Sequence, residues 1–256
     1  TWSGADTRTY DGKASNVTAS VTNKIGNDDV TVTVTGGTAV NAGTYIATAT
    51  GLAGDKAKNY QLPETGLSQE YTINRAALTI ASVAVEGKTY DGTTDAKVTS
   101  VTFNGLQNGE ELVSGTDYTV AGVFDEVDVG ERTVTVTVTM RDTAKAKNYQ
   151  LEKTTATATA TITPVQTTLE LTAKDAVYTG SAYDAKNISK VSNVNDAPVY
   201  TYYADNNGEK GAKLDGAPVN AGTYWVEGYI AASGNNSAGT SDAVQFQITK
   251  APLTAT

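Results

Sequence analysis

The chain of 256 residues has no cysteine and no histidine, one methionine, two tryptophans and five prolines. Each scarcity removes a class of chemistry. Without histidine there is no imidazole to titrate near neutral pH, so no Ser-His-Asp arrangement can form. With cysteine missing as well, tetrahedral zinc centres, thiol nucleophiles and haem ligation are excluded. Disulfides are impossible, which suits bacterial surface proteins and cytosolic proteins alike. Long apolar runs are also lacking: no stretch approaches the roughly 20 residues that cross a bilayer as a helix. Residues 1–10 carry neither the basic start nor the apolar run of a signal peptide.

Positive charge is scarce. Nineteen Lys and Arg stand against 28 Asp and Glu, for a net charge of −9. An acidic surface of this kind repels nucleic acid and anionic lipid. Carboxylates for glycoside hydrolysis are plentiful, but that chemistry needs a cleft holding two of them at fixed separation, which a thin module rarely provides. The expectation is a protein that is not an enzyme, takes no cofactor, binds no nucleic acid and is monomeric.

What is present is repetition. Lys56-Ala57-Lys58-Asn59-Tyr60-Gln61-Leu62 returns unchanged as Lys145-Ala146-Lys147-Asn148-Tyr149-Gln150-Leu151. Tyr10-Asp11-Gly12 returns as Tyr90-Asp91-Gly92 and, more loosely, as Tyr178-Thr179-Gly180. Asn41-Ala42-Gly43-Thr44-Tyr45 returns as Asn220-Ala221-Gly222-Thr223-Tyr224, with Asp128-Val129-Gly130-Glu131-Arg132 at the same place in the middle copy. A period of roughly 85 residues is the size of a small domain rather than of a solenoid repeat. The joints recur too: Ile73-Asn74-Arg75-Ala76-Ala77-Leu78-Thr79 matches Ile248-Thr249-Lys250-Ala251-Pro252-Leu253-Thr254. The repeats fall at 1–74, 75–163 and 164–250, and 251–256 reads as the opening of a fourth. No joint holds a Gly/Ser run, so a semi-rigid elongated array is expected.

Val30-Thr31-Val32-Thr33-Val34-Thr35 and Thr133 to Thr139 alternate strictly, the pattern of half-buried antiparallel strands. Asp-Gly and Asn-Gly pairs punctuate them as turns. The fold class is therefore all-β, as three tandem Ig-like β-sandwich modules. A β-grasp with a short helix near 56–59 is the alternative. Asn-Ala-Gly-Thr-Tyr resembles the tyrosine corner of Ig-like domains, with Tyr45 and Tyr224 in the corner role. Asp11 and Asp91 are expected to cap turns in which Gly12 and Gly92 supply positive φ.

On Tyr90-Asp91-Gly92-Thr93-Thr94, Asp128-Val129-Gly130, Lys147-Asn148-Tyr149 and Thr161-Ile162-Thr163-Pro164, the middle repeat resembles the YDG repeat. YDG and the related MBG repeats occur in arrays within large bacterial surface proteins and filamentous-haemagglutinin-like adhesins. The first repeat matches at the same landmarks; the third lacks the Lys-Asn-Tyr box. The resemblance implies a bacterial, extracellular, cell-surface location and a stalk or adhesive role, and it supplies no catalytic residue.

Two candidate sites stand apart from the repeated motifs. If Tyr224 points inward, Trp225 and Tyr229 point outward as a stacking platform for a host glycan or protein, with Tyr200 and Tyr202 on a neighbouring strand. Asp125, Glu126 and Asp128 offer hard oxygen ligands for calcium. The leading expectation is a structural spacer. Direct adhesion through the aromatic patch is the second, and an accessory module of a polysaccharide-active enzyme the third.

Overall fold

Where valine and threonine alternate, the chain is strand. In the computed structural model, which describes residues 1–184, 189–191 and 195–254, Thr133 to Thr139 lies within the strand Gly130–Met140. Val134, Val136 and Val138 are fully buried there, and the intervening threonines face outward. Thr31–Thr35 repeats the pattern, with Val32 and Val34 half-buried. β-branched side chains, already restricted at χ1, lose little on being ordered in a pleat. Among the described residues the only helical segments are single 3-10 turns at Ala57–Asn59 and Ala146–Asn148. The fold is all-β, and the helix of the β-grasp alternative reduces to one turn.

A four-stranded sheet runs in the order Arg8–Thr9, Ser68–Asn74, Gly43–Ala53, Thr31–Thr35, and Trp2–Ser3 pairs separately with Thr18–Ala19. A seven-stranded sheet orders Tyr149–Leu151, Ala76–Glu86, Asp95–Asn104, Tyr118–Phe124, Gly130–Met140, Thr155–Thr163 and Lys88–Thr89. In the third, Ala176–Val177, Val244–Thr249, Gly222–Ile230, Val199–Asn206 and Glu209–Lys213 follow one another, with Gly239–Thr240 also on Gly222–Ile230.

One arrangement occurs three times. The short strand before each Tyr-x-Gly turn pairs in parallel with the last strand of its repeat, as Arg8 with Ile73, Lys88 with Ile162 and Ala176 with Ile248. The tyrosine N–H then donates to the next carbonyl, from Tyr10 to Asn74, Tyr90 to Thr163 and Tyr178 to Thr249, each at 2.8 Å. The turn that follows needs a left-handed residue, and Gly12, Gly92 and Gly180 have φ of 75°, 78° and 79°.

The chain packs as two compact units that do not coincide with the sequence repeats. The first comprises Thr1–Glu86, Thr94–Asp125 and Thr133–Ala160; the second Gly87–Thr93, Glu126–Arg132 and Thr161–Thr256. In the first unit one core joins Tyr10, Val17, Ala47, Tyr71 and Ile73 to Ala76, Leu78 and Tyr149 of the following repeat. A single residue, Arg75, separates the strands Ser68–Asn74 and Ala76–Glu86. The second unit is built on Leu171, Tyr202, Val226, Phe246 and Ile248, with Tyr183 stacked 4.0 Å from Phe246. Residues 251–254, expected to open a fourth repeat, form no strand; 255 and 256 lie outside the described residues.

Candidate functional site

The strand Gly222–Ile230 sorts its residues by parity. Val226, Gly228 and Ile230 are buried, while Tyr229 on the other face is 45% exposed. Trp225 lies opposite Tyr203, Glu227 opposite Thr201 and Tyr229 opposite Val199, so these share the outer face. A ladder of polar contacts crosses it. Trp225 Nε1 donates to Asp205 Oδ1 at 2.9 Å, and Gln245 Nε2 donates to the same oxygen at 3.0 Å. The Tyr203 hydroxyl donates to Glu227 Oε2 at 2.9 Å, and Lys210 Nζ, lying 4.7 Å from the Tyr203 ring centre, donates to the same oxygen at 3.0 Å.

These contacts fix the charge states. The Lys210 ammonium, helped by the Tyr203 hydroxyl, holds Glu227 below the usual carboxylate range. The indole N–H of Trp225 does the same for Asp205. Desolvation, then the nearby Glu227, pushes the Tyr203 hydroxyl up. The result is an ionised, rigid outer face with an exposed apolar end, since Val199 is 66% exposed beside Tyr229.

Two residues expected on this platform belong elsewhere. Tyr202 is buried opposite Val226 in the core, and Tyr200 packs against that core opposite Gly228. A Cβ added at Gly228 would come within 2.9 Å of Leu169 and 3.6 Å of the Tyr200 ring, so the absence of a side chain lets Tyr200 lie inside. Tyr203, one residue on, is the aromatic that shares a face with Trp225.

The expected calcium ligands are each engaged by protein groups. Asp125 Oδ1 accepts the Thr133 N–H at 3.2 Å, Glu126 pairs with Arg132 at 2.5 Å, and Asp128 Oδ1 accepts Asn235 Nδ2 at 2.9 Å. Among the described residues no three Asp or Glu converge as a metal cluster.

The corner residues act as donors to the carbonyl four residues back. Tyr45 reaches Asn41 O at 2.9 Å and Tyr224 reaches Asn220 O at 3.0 Å. Arg132, which departs from the motif, places Nε 2.9 Å from Asp128 O and so makes the same bond with a guanidinium. The ring lies close over the glycine: a Cβ on Gly43 or Gly222 would meet the tyrosine hydroxyl at 3.2 or 3.0 Å. The turn carboxylates also do as expected. Asp11 Oδ1 accepts the Lys13 N–H, and Asp91 Oδ1 accepts the Thr93 N–H and hydroxyl and Lys88 Nζ.

A feature that no motif announced holds neighbouring repeats together. In the first unit, Asn148 Oδ1 accepts the Ala42 N–H at 2.8 Å and Asn148 Nδ2 donates to Asn41 Oδ1 at 3.2 Å. In the second unit, Asn235 Oδ1 accepts the Val129 N–H at 2.9 Å and Asn235 Nδ2 donates to Asp128 Oδ1 at 2.9 Å. One carboxamide thus closes on the corner turn of the preceding repeat at each joint. The backbone repeats the match. Tyr149 pairs in parallel with Ala76, and Val165 bridges in parallel to Asn236. The first joint adds aromatic groups: Tyr10 and Tyr149 meet edge to face at 5.5 Å and both donate to the Glu110 carboxylate.

These features define an all-β class in which the short strand ahead of each Tyr-x-Gly turn closes in parallel on the last strand of its repeat and bonded corners carry the joints. More particularly, residues 74–158 match the YDG domain and form a YDG-type domain. The matched stretch contains Tyr90-Asp91-Gly92 and Lys147-Asn148-Tyr149. No curated protein matches the chain.

Proposed function

We propose that this chain is a non-catalytic spacer made of three Ig-like modules, part of a bacterial cell-surface or secreted adhesin-like protein. The observation that carries this reading is the one-residue joint at Arg75, with a core continuous from Tyr10 and Ile73 to Leu78 and Tyr149. A joint without a linker, clasped by a buried amide, resists bending, and resistance to bending is what a projecting stalk requires. Its acidic surface suits an extracellular stalk and disfavours nucleic acid and membrane partners. The test joins small-angle scattering with a binding screen on glycans, mucin and matrix proteins, with and without calcium. An extended particle that binds nothing is expected; a compact one would remove the reading.

Adhesion is the second reading, favoured by the exposed Tyr229 and Val199 at the end of the ordered Trp225–Tyr203 face. Aromatic rings held on a rigid sheet stack on sugars, and flanking carboxylates and amides bond hydroxyls. Tyr229→Ala is the sharper probe, because Trp225 is also held by Asp205. A ligand from the screen lost in Tyr229→Ala, with the melting curve kept, would place adhesion ahead of spacing.

A further inference from the structure

The first joint borders an open cleft whose charge is unlike that of the chain around it. Its volume is about 430 Å³, within the range of roughly 300–1,000 Å³ found for pockets that hold small organic ligands. Thr44, Thr72, Asn74, Arg75, Lys147 and Gln150 line it beside the corner residues Ala42 and Gly43, and no Asp or Glu does. The chain carries 28 carboxylates and 19 cationic side chains. A cleft with two cations and no carboxylate is the reverse of that average. The second joint has no such pair: Pro164 stands where Arg75 does, and Gly234 precedes Asn235 where Lys147 precedes Asn148.

Each wall follows from the local structure. Thr44 lies opposite Thr72 on adjacent strands, while Tyr45, Tyr71 and Ile73 pack on the core. Thr44, Thr72 and Asn74 therefore share the outer face. Arg75, the single residue between two strands, is exposed beside buried Ala76. On the other wall Ala146, Asn148 and Tyr149 are buried, and Lys147 and Gln150 between and after them are exposed. The bonds from Asn148 to Asn41 and Ala42 fix one wall against the other. The side chains of Thr44, Thr72, Asn74, Arg75 and Gln150 have no hydrogen-bond or ion-pair partner among the described residues. Lys147 pairs with Asp142 at 3.0 Å, but both side chains are exposed, and such a pair contributes little and yields to a competing anion.

We propose that this cleft binds a small polycarboxylate that also carries a hydroxyl. Arg75 takes one carboxylate on its planar fork, and Lys147 takes a second as a point charge. The carboxamides of Asn74 and Gln150 and the hydroxyls of Thr44 and Thr72 each donate and accept, which suits a ligand hydroxyl between the carboxylates. The ligand is small rather than polymeric, because a net charge of −9 repels a long polyanion outside the cleft. It is organic rather than inorganic, because a single inorganic oxyanion would leave most of the 430 Å³ to water. Thr44, Thr72 and Asn74 belong to the first repeat and Lys147 and Gln150 to the second, so the bound acid braces the joint that Asn148 clasps.

Citrate is the probe, titrated into the whole chain at a constant ionic strength of about 0.15 M. Binding is followed by calorimetry and by the amide shifts of the assigned protein in NMR. The expected result is saturable binding with Kd on the order of 1 mM, and shifts confined to residues 42–44, 72–75 and 147–150. Arg75→Gln and Lys147→Gln should each weaken it about tenfold. Tricarballylate, which lacks the hydroxyl, should bind several-fold more weakly than citrate, and phosphate more weakly still. Both substituted residues are exposed, and circular dichroism checks that the variants are folded. Shifts that spread over the surface without saturating would overturn the proposal, as would binding that Arg75→Gln leaves unchanged. Phosphate binding as tightly as citrate at the same residues would overturn the assignment to a polycarboxylate.

Discussion

The two joints of this chain are built on one plan from unlike parts. At the first, Asn148 belongs to a conspicuous repeated box, is buried, and is backed by Tyr10, Tyr149, Glu110 and a continuous core. At the second, Asn235 sits in an unremarkable Ser-Gly-Asn-Asn-Ser loop, is half-buried, and bonds the corner turn with the same two atoms. The carboxamide suits the joint, because its oxygen accepts the corner N–H while its separate nitrogen donates to the corner side chain. The aromatic backing is an addition that strengthens one joint. The first should therefore tolerate less change than the second.

The largest expected effect is at Tyr149. Truncation to alanine removes a buried ring that touches Tyr10 and bonds Glu110, and should cost about 3–5 kcal/mol in denaturant unfolding. It should also separate the unfolding of the first two repeats, which a single transition in the variant would contradict. Next come the clasps themselves. Asn148→Ala leaves the Ala42 N–H without its partner and should cost about 1–3 kcal/mol, while Asn235→Ala, at a wetter site, should cost about 1 kcal/mol. Equal losses would mean that the aromatic backing adds nothing.

A smaller effect separates the joints by pH. Desolvation, then the Glu110 carboxylate, pushes the Tyr149 hydroxyl up to about 12, and the same causes raise Tyr10 further. A group whose folded pKa is raised stabilises below its unfolded value, near 10, and the contribution is lost as pH climbs toward the folded one. Melting temperature should fall from pH 10 upward, and Tyr149→Phe should flatten that fall; an Asn235→Ala chain should retain it. Least of all is the acid limb. Lys88 and Thr93 hold the exposed Asp91 carboxyl down to about 2, so its contribution is present above about pH 4 and fades as pH drops toward 2. Asp91→Asn should remove that shallow slope and lose the same small contribution at neutral pH.

Much of the fold could be read from residues alone, because it rests on local rules. Alternation placed the Val134, Val136 and Val138 strand, and the Asn-to-Tyr pentapeptides placed both tyrosine corners. The turn glycines came from the steric demand of positive φ. What was hidden depends on partners distant in sequence. Tyr200 and Tyr202 were assigned to the Trp225 face because pairing parity between two strands is not written in either; a shift of one residue exchanges the faces. Arg132 keeps the corner bond because the corner needs a donor of the right reach, which residue type alone did not convey. Asn235 lies in no motif, and the carboxylates at Asp125, Glu126 and Asp128 looked available only while their partners were unknown.

The shared core has a consequence for inheritance. Leu78 and Tyr149 complete a core begun by Tyr10 and Ile73, so the segment that can be copied in the gene is not the segment that folds. A duplication cut at Arg75 delivers a repeat whose first strand is missing half of its surroundings until a compatible neighbour is translated beside it. Selection on such an array acts on adjacent pairs, and a substitution in one copy is judged by the copy next to it. Adjacent copies can be matched by unlike residues, as the Asn148 clasp of the first joint and the Asn235 clasp of the second show.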